Sequence, residues 1–215
     1  LERITCEELE ALVVSKKNQI EILFGGFGRE LNTLSGVISG MYSSSDITED
    51  ESVTANDETL YEYDSECVYI SSGVAVSDVY DEIVMLSDIV GNLRRTMQTD
   101  DSLVREFYIG TESGIFMTTG GSDCGTYTTD FDARASEWYT SAKEKNGFVV
   151  TGIGDEGYIR GGTLFCSTPV YDGGGKFVGV VGMRVNIDGF LDSLDSSGSD
   201  KTDYIVVSTD RKVVF

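Results

Sequence analysis

The chain has 215 residues, with 37 acidic against 16 basic side chains, a formal charge of −21 and no histidine. The missing imidazole removes the commonest general base, the usual zinc ligand and the partner of any Ser-His or Cys-His nucleophile. The acidity is the wrong sign for a nucleic-acid backbone or an anionic lipid surface. A 40% hydrophobic fraction with Tyr 11, Phe 10 and Trp 1 supplies a packed core, where disordered acidic chains are poor in aromatics. With 25 glycines and the one proline Pro169, turns are expected to be glycine turns. No apolar run approaches the roughly 20 residues of a membrane span, and the charged start LERITCEELE is not a signal peptide. Cys6, Cys67, Cys124 and Cys166 have no CxxC spacing, which fits either one or two disulfides or plain thiols and gives no metal site.

From Cys6 to Met41, the residues Val13, Ile20, Phe24, Phe27, Leu31, Leu34, Ile38 and Met41 sit mostly four and three apart. That spacing marks one face of a long helix. Such a helix is on the order of 50 Å long, more than one globular domain needs. Two readings follow, a long core helix and a stalk that pairs with a second copy. Gly25, Gly26, Gly28, Gly36 and Gly40 each cost about 1 kcal/mol relative to Ala, unless close packing offsets the loss.

Residues 43–66 carry nine acids and read as solvated loop, without the D-x-[DN]-x-[DN]-G spacing of a calcium loop. Val79, Ile83, Leu86, Val90, Leu93 and Met97 then predict a second helix, with Ser77 and Asp78 as candidate N-caps. Beyond it the period drops to two. VREFYIG (104–110), a turn at 111–114 and IFMTT (115–119) predict a hairpin. Residues 133–145, which contain ASEWYTSAKEK, follow as a short helix stopped by Asn146 and Gly147. Further strands are expected at 147–152, 163–170 and 176–187, the last two joined by an Asp172-Gly173-Gly174-Gly175 turn. A short exit helix at 188–194, a linker at 196–199 and a strand-turn-strand at 204–215 close the chain. This order is that of an α+β fold.

Three of these segments, FYIGTESGIF (107–116), FDARASEWYTSAKEKNG (131–147) and PVYDGGGKFVGVVGMRVNIDGFLDSL (169–194), resemble the extracellular double-Cache sensor domain of bacterial transmembrane receptors. The clear match covers about half of the chain. The resemblance implies a long N-terminal stalk and dimer helix over residues 1–45. It implies a membrane-distal, PAS-like ligand-binding module over 46–195, an antiparallel sheet flanked by helices. Residues 196–215 would be a linker and the first strands of a smaller, incomplete membrane-proximal module, so that the chain is an excised piece. The parent would be a membrane-anchored receptor of the histidine kinase, chemotaxis receptor or diguanylate cyclase type, sensing a small molecule at the extracellular face of the bacterial cell membrane. It would be homodimeric through the N-terminal helix, without cofactor, metal, nucleic acid or catalytic activity.

In the family the ligand lies between the sheet and the Trp-Tyr segment, here Trp138 and Tyr139. Large apolar faces ending in a polar atom suit a small amphipathic ligand, although the lone tryptophan of a small domain serves equally well as core. In the amino-acid-sensing branch, an arginine two positions before the tryptophan holds a carboxylate and an aspartate in the GVVGID strand holds an ammonium. This sequence has Ser136 and Arg184 at those positions. A positive charge in place of a negative one argues against an α-amino acid and for a small organic acid or other anion. Arg184 leads the expected site, with Phe131, Tyr127, Tyr158 and Arg134 around it. Arg134 and Arg160 read more readily as surface ion pairs. Two other classes compete. A dimerisation domain without ligand would use the same fold, and a carboxylate hydrolase would draw on Asp130, Asp132, Asp155 and Glu156.

Overall fold

The computed structural model describes residues 5–44, 60–63, 66–96, 103–120, 131–152, 163–186 and 189. In chain order the elements are α1 (Cys6–Ser43), β1 (Leu60–Tyr63), β2 (Glu66–Ile70), α2 (Val76–Thr96), β3 (Val104–Thr111) and β4 (Ile115–Thr118). A 3-10 turn (Ala133–Ala135), α3 (Glu137–Lys145), β5 (Val149–Thr151), β6 (Thr163–Tyr171) and β7 (Phe177–Asn186) follow. The strands form one antiparallel sheet in the order β1-β2-β4-β3-β7-β6-β5. The α+β expectation holds.

Thr5 starts α1 with a capping box: its side chain accepts the Glu8 amide, and the Glu8 carboxylate accepts the Thr5 amide at 2.8 Å. Phe27, Leu31, Leu34 and Ile38 are the buried stripe, spaced 4-3-4 as the sequence predicts. The two readings of this helix separate along its length. Its C-terminal half lies on the sheet, whereas Leu9, Val13, Val14 and Ile22 nearer its start are exposed. Of the helix glycines, Gly28 lies against the Phe148 ring, but a Cβ there would sit at 3.4 Å, an ordinary contact, so space does not demand glycine at this position.

Helix α2 buries Val79, Ile83, Leu86 and Val90. It begins at Val76, so Ser77 and Asp78 sit in the first turn instead of capping it; there Asp78 favourably faces the positive end of the helix dipole. Part of the expected acidic loop is instead the hairpin of β1 and β2, closed by the Tyr63↔Glu66 pair. β1 is a four-residue strand at the edge of the sheet, a position at which charged residues are common. The expected 133–145 helix is interrupted at Ser136, whose extended backbone (φ −71, ψ 146) divides the 3-10 turn from α3. Asn146 ends α3 in the left-handed conformation, φ 51, as its sequence predicts. The exit helix, the linker and the strands at 204–215 lie outside the described residues, apart from Gly189.

Alternation along the strands gives the sheet two different faces. Phe107 and Ile109, Val181, Met183 and Val185 meet α1 and α2 on one. Tyr108, Phe116, Tyr69 and Val180 meet Ala133, Trp138, Tyr139 and Ala142 on the other. Cys166 belongs to the first face as a free thiol, pushed up to about 12 by burial and so unreactive. Cys6 is free and exposed.

Candidate functional site

The second face carries a layer of aromatic rings between the sheet and α3. Tyr108 and Trp138 lie 4.6 Å apart between centroids, Phe116 and Phe131 5.1 Å, and Trp138 and Tyr139 5.7 Å. Two glycines make this close approach possible. A Cβ on Gly110 would come within 2.9 Å of the Trp138 ring, and one on Gly182, directly across from Tyr108, would collide with the tyrosine ring. The Tyr108 hydroxyl is fixed by Ser167 Oγ at 2.9 Å. Trp138 and Tyr139 are 4% and 1% exposed.

On the same face an ion pair is built into the sheet. Glu106 on β3 and Arg184 on β7 stand directly opposite in register, two residues along from Tyr108 and Gly182. Arg184 Nε lies 3.0 Å from Glu106 Oε2, with side-chain exposures of 13% and 2%. The Thr118 hydroxyl, from β4, donates to Glu106 Oε1. Phe165 of β6 flanks Arg184 on its other side and meets the Tyr108 ring at 6.1 Å. Aromatic layer and ion pair are therefore contiguous. A register shift between Val104 and Glu106 helps aim the glutamate here, as bulges do near functional sites.

Charges at the rim hold α3 down. The Tyr139 hydroxyl donates to Glu112 Oε2 at 2.9 Å, and Lys143 Nζ lies 2.9 Å from both oxygens of that carboxylate. Partial burial opposes the Glu112 charge, yet these bonds and the Lys143 and Arg134 charges outweigh it and keep the carboxyl below its usual range. Burial, then the Glu112 bond, pushes the Tyr139 phenol up, so it is protonated and donating at neutral pH. Arg134 grips Asp132 through Nε and Nη2 at 2.9 and 2.8 Å, which lowers the Asp132 carboxyl.

Of the residues expected from sequence, Phe131, Trp138 and Tyr139 meet in the aromatic layer and Arg184 shares their face. Arg134 is placed apart from the Glu106–Arg184 pair, over the β3–β4 turn, where it donates to the Glu112 carbonyl at 3.3 Å and forms a half-buried ion pair with Asp132. Tyr127, Tyr158 and Arg160 lie outside the described residues, as do Asp130, Asp155 and Glu156 of the hydrolase reading. The group that sequence reasoning missed is Glu106. Its only signal was an acid in phase with Tyr108 and Gly110 on a strand whose inward positions are otherwise uncharged. Among the described residues no cluster of His, Cys, Asp and Glu could hold a metal ion, and no helix is long and apolar enough to cross a membrane.

No protein-family model and no curated protein matches the sequence. Solved structures do resemble it. The sensory domain of the Campylobacter jejuni chemoreceptor Tlp3 (CcmL) superposes with a TM-score of 0.59 at 15% identity, over 94% of this chain and 68% of that one. The same domain with isoleucine bound gives 0.58 at 16% identity, over 95% and 67%. The ligand-binding domain of the Pseudomonas aeruginosa PAO1 amino acid chemoreceptor PctC in complex with GABA gives 0.56 at 16%, over 97% and 74%. At such identities the likeness is one of fold: the chain shares the fold of these sensory domains, as the resemblance of the three sequence segments implied. The chain spans about two thirds of the length of the Tlp3 domain.

Proposed function

We propose that the chain is the extracellular ligand-sensing part of a membrane-anchored bacterial signalling receptor, and that its ligand is a small molecule bearing both an anionic and a cationic group. The distal module, residues 46–195, would take this ligand between the sheet and α3. The observation that carries the reading is the Glu106–Arg184 pair, buried on the face that also holds the aromatic layer. A guanidinium can present paired donors to a carboxylate, whereas a carboxylate 3.0 Å from it repels a second anion and attracts an ammonium. A plain organic acid would gain the guanidinium but leave the Glu106 repulsion uncompensated, so the pair reverses the expectation of a plain anion and favours a zwitterion, the amino-acid class that Arg184 alone had argued against. The isoleucine and GABA bound by the domains of like fold are of that class. The rings of Trp138, Tyr108 and Phe165 would take the apolar part of the ligand.

The stalk helix at 1–45 would pair with a second copy, a reading supported by the exposed Leu9, Val13, Val14 and Ile22. Residues 196–215 would lead into a membrane-proximal module. Neither role requires catalysis.

Thermal melting of the chain against amino acids and GABA, dicarboxylates, and amines tests the ligand class. At 100 times Kd a ligand stabilises the folded state by about 2.7 kcal/mol, enough for a clear rise in Tm. A zwitterion should give that rise and the matched acid or amine should not. Stabilisation by dicarboxylates alone would return the ligand to a plain anion. No stabilisation by any of the three classes would favour the ligand-free dimerisation domain.

A further inference from the structure

Two hairpin turns each hold α3 on one side and the end of α1 on the other. In the β3–β4 turn, Glu112 faces α3 through Tyr139 and Lys143, both at 2.9 Å. Its neighbour Ser113 faces the opposite way and donates to Glu82 of α2, which also accepts the hydroxyl of Tyr42, the penultimate residue of α1. In the β6–β7 turn, Tyr171 donates to Oδ1 of Asn146, the cap of α3, at 2.6 Å. Two residues on, the Gly173 amide donates to Oγ of Ser43, the last residue of α1, at 2.9 Å.

Both turns are braced internally. Thr111 Oγ1 meets Ser113 Oγ at 2.6 Å and accepts the Ile115 amide at 3.0 Å, while the Glu112 amide donates to the Val178 carbonyl at 2.8 Å. Asp172 Oδ1 accepts the amides of Gly174 and Lys176 at 2.9 and 2.8 Å. A turn stapled in this way moves as a unit, so a displacement of Glu112 is passed to Ser113. Ile38 is the last buried residue of α1, and beyond it these links and the half-buried Tyr42 ring anchor its final turn.

We propose that the two turns are a mechanical relay: the position of α3, which covers the aromatic face, sets the order of the last turn of α1 through Glu112–Ser113–Glu82–Tyr42 and through Asn146–Tyr171–Gly173–Ser43. The two helices lie on opposite faces of the sheet, and the turns are where polar links from both converge. The relay is independent of which ligand occupies the face, and it gives any ligand that moves α3 a route to α1.

Hydrogen–deuterium exchange on the whole chain tests it without a ligand. Tyr139→Phe removes one hydroxyl from a buried ring, Glu112→Gln alters a half-exposed side chain, and Ser113→Ala cuts the link to Glu82. None of the first two touches α1 directly. Each should nevertheless raise exchange at amides 41–44 by about threefold or more, and combining either with Ser113→Ala should add little, since residues in one network are not additive. Faster exchange confined to residues 137–146 in both α3-side variants, or effects that multiply independently in the double variants, would overturn the relay. Should Tyr139→Phe fail to fold, Glu112→Gln, at a side chain 47% exposed, decides the matter alone: faster exchange at 41–44 supports the relay and unchanged exchange there overturns it.

Discussion

The two faces of the sheet are built from alternate residues of the same strands, and they differ in kind. β3 gives Phe107 and Ile109 to the helix face but Glu106, Tyr108 and Gly110 to the other. On the helix face, two long helices lay aliphatic stripes over Val, Ile, Met and Leu side chains. Packing of that sort is stabilising by itself and asks for no partner. The opposite face is covered by a 3-10 turn and a nine-residue helix, carries rings laid over glycines, and buries an ion pair. A buried pair is weak evidence for stability, because desolvation consumes most of its Coulomb energy. On the proposed function, stability and recognition are thus divided between the faces.

Removing half of the ion pair should break that division most sharply. Arg184→Met takes the guanidinium from a glutamate that is 2% exposed, and the expected loss is about 3–5 kcal/mol by urea unfolding. The double variant Glu106→Gln with Arg184→Met should recover most of this stability while failing to bind a zwitterion. A loss below about 1 kcal/mol in the single variant would place the pair energetically at the surface and remove its claim to a recognition role. The helix face supplies the next largest effect. Leu86→Ala opens a cavity where the side chain is 0% exposed, at a cost of about 2–5 kcal/mol. Ligand affinity of the folded fraction should be unchanged. An affinity change from Leu86→Ala comparable to that from Arg184→Met would show that the faces are not separate in function.

The helix face was almost wholly legible in the sequence, since 4-3-4 spacing in 27–38 and 79–90 is a local pattern that needs no tertiary knowledge. The hairpins of β3–β4 and β6–β7 and the Trp-Tyr helix were legible from local patterns as well. The other face was only half legible. Its rings could be found as residue types, but Glu106 takes its meaning from lying across from Arg184, and cross-strand register is a property of the fold, where a one-residue slip reverses every side chain. The hairpin of β1 and β2 was hidden by its acids, because charge patterning cannot distinguish a loop from an edge strand. The break at Ser136 escaped because serine is compatible with both a helix interior and a cap.

The smallest effect belongs to the rim, where charge is only partly withdrawn from water. Glu112 and Asp132 both have carboxyls lowered in the folded state, Glu112 by its bonds to Lys143 and Tyr139 and Asp132 by Arg134. A carboxyl lowered on folding contributes stability that is fully present above its unfolded range and is lost as pH falls through the folded value. With side chains 47% and 35% exposed, each pair contributes on the order of 1 kcal/mol or less. Glu112→Gln should therefore lower the urea midpoint slightly at neutral pH, with the deficit closing as wild type and variant are acidified together, and shrinking in salt. The Leu86→Ala deficit should persist across the same range, because a cavity does not titrate. A Glu112→Gln deficit that is indifferent to pH and salt would mean that the residue acts by shape, as the turn that holds α3, and not by charge.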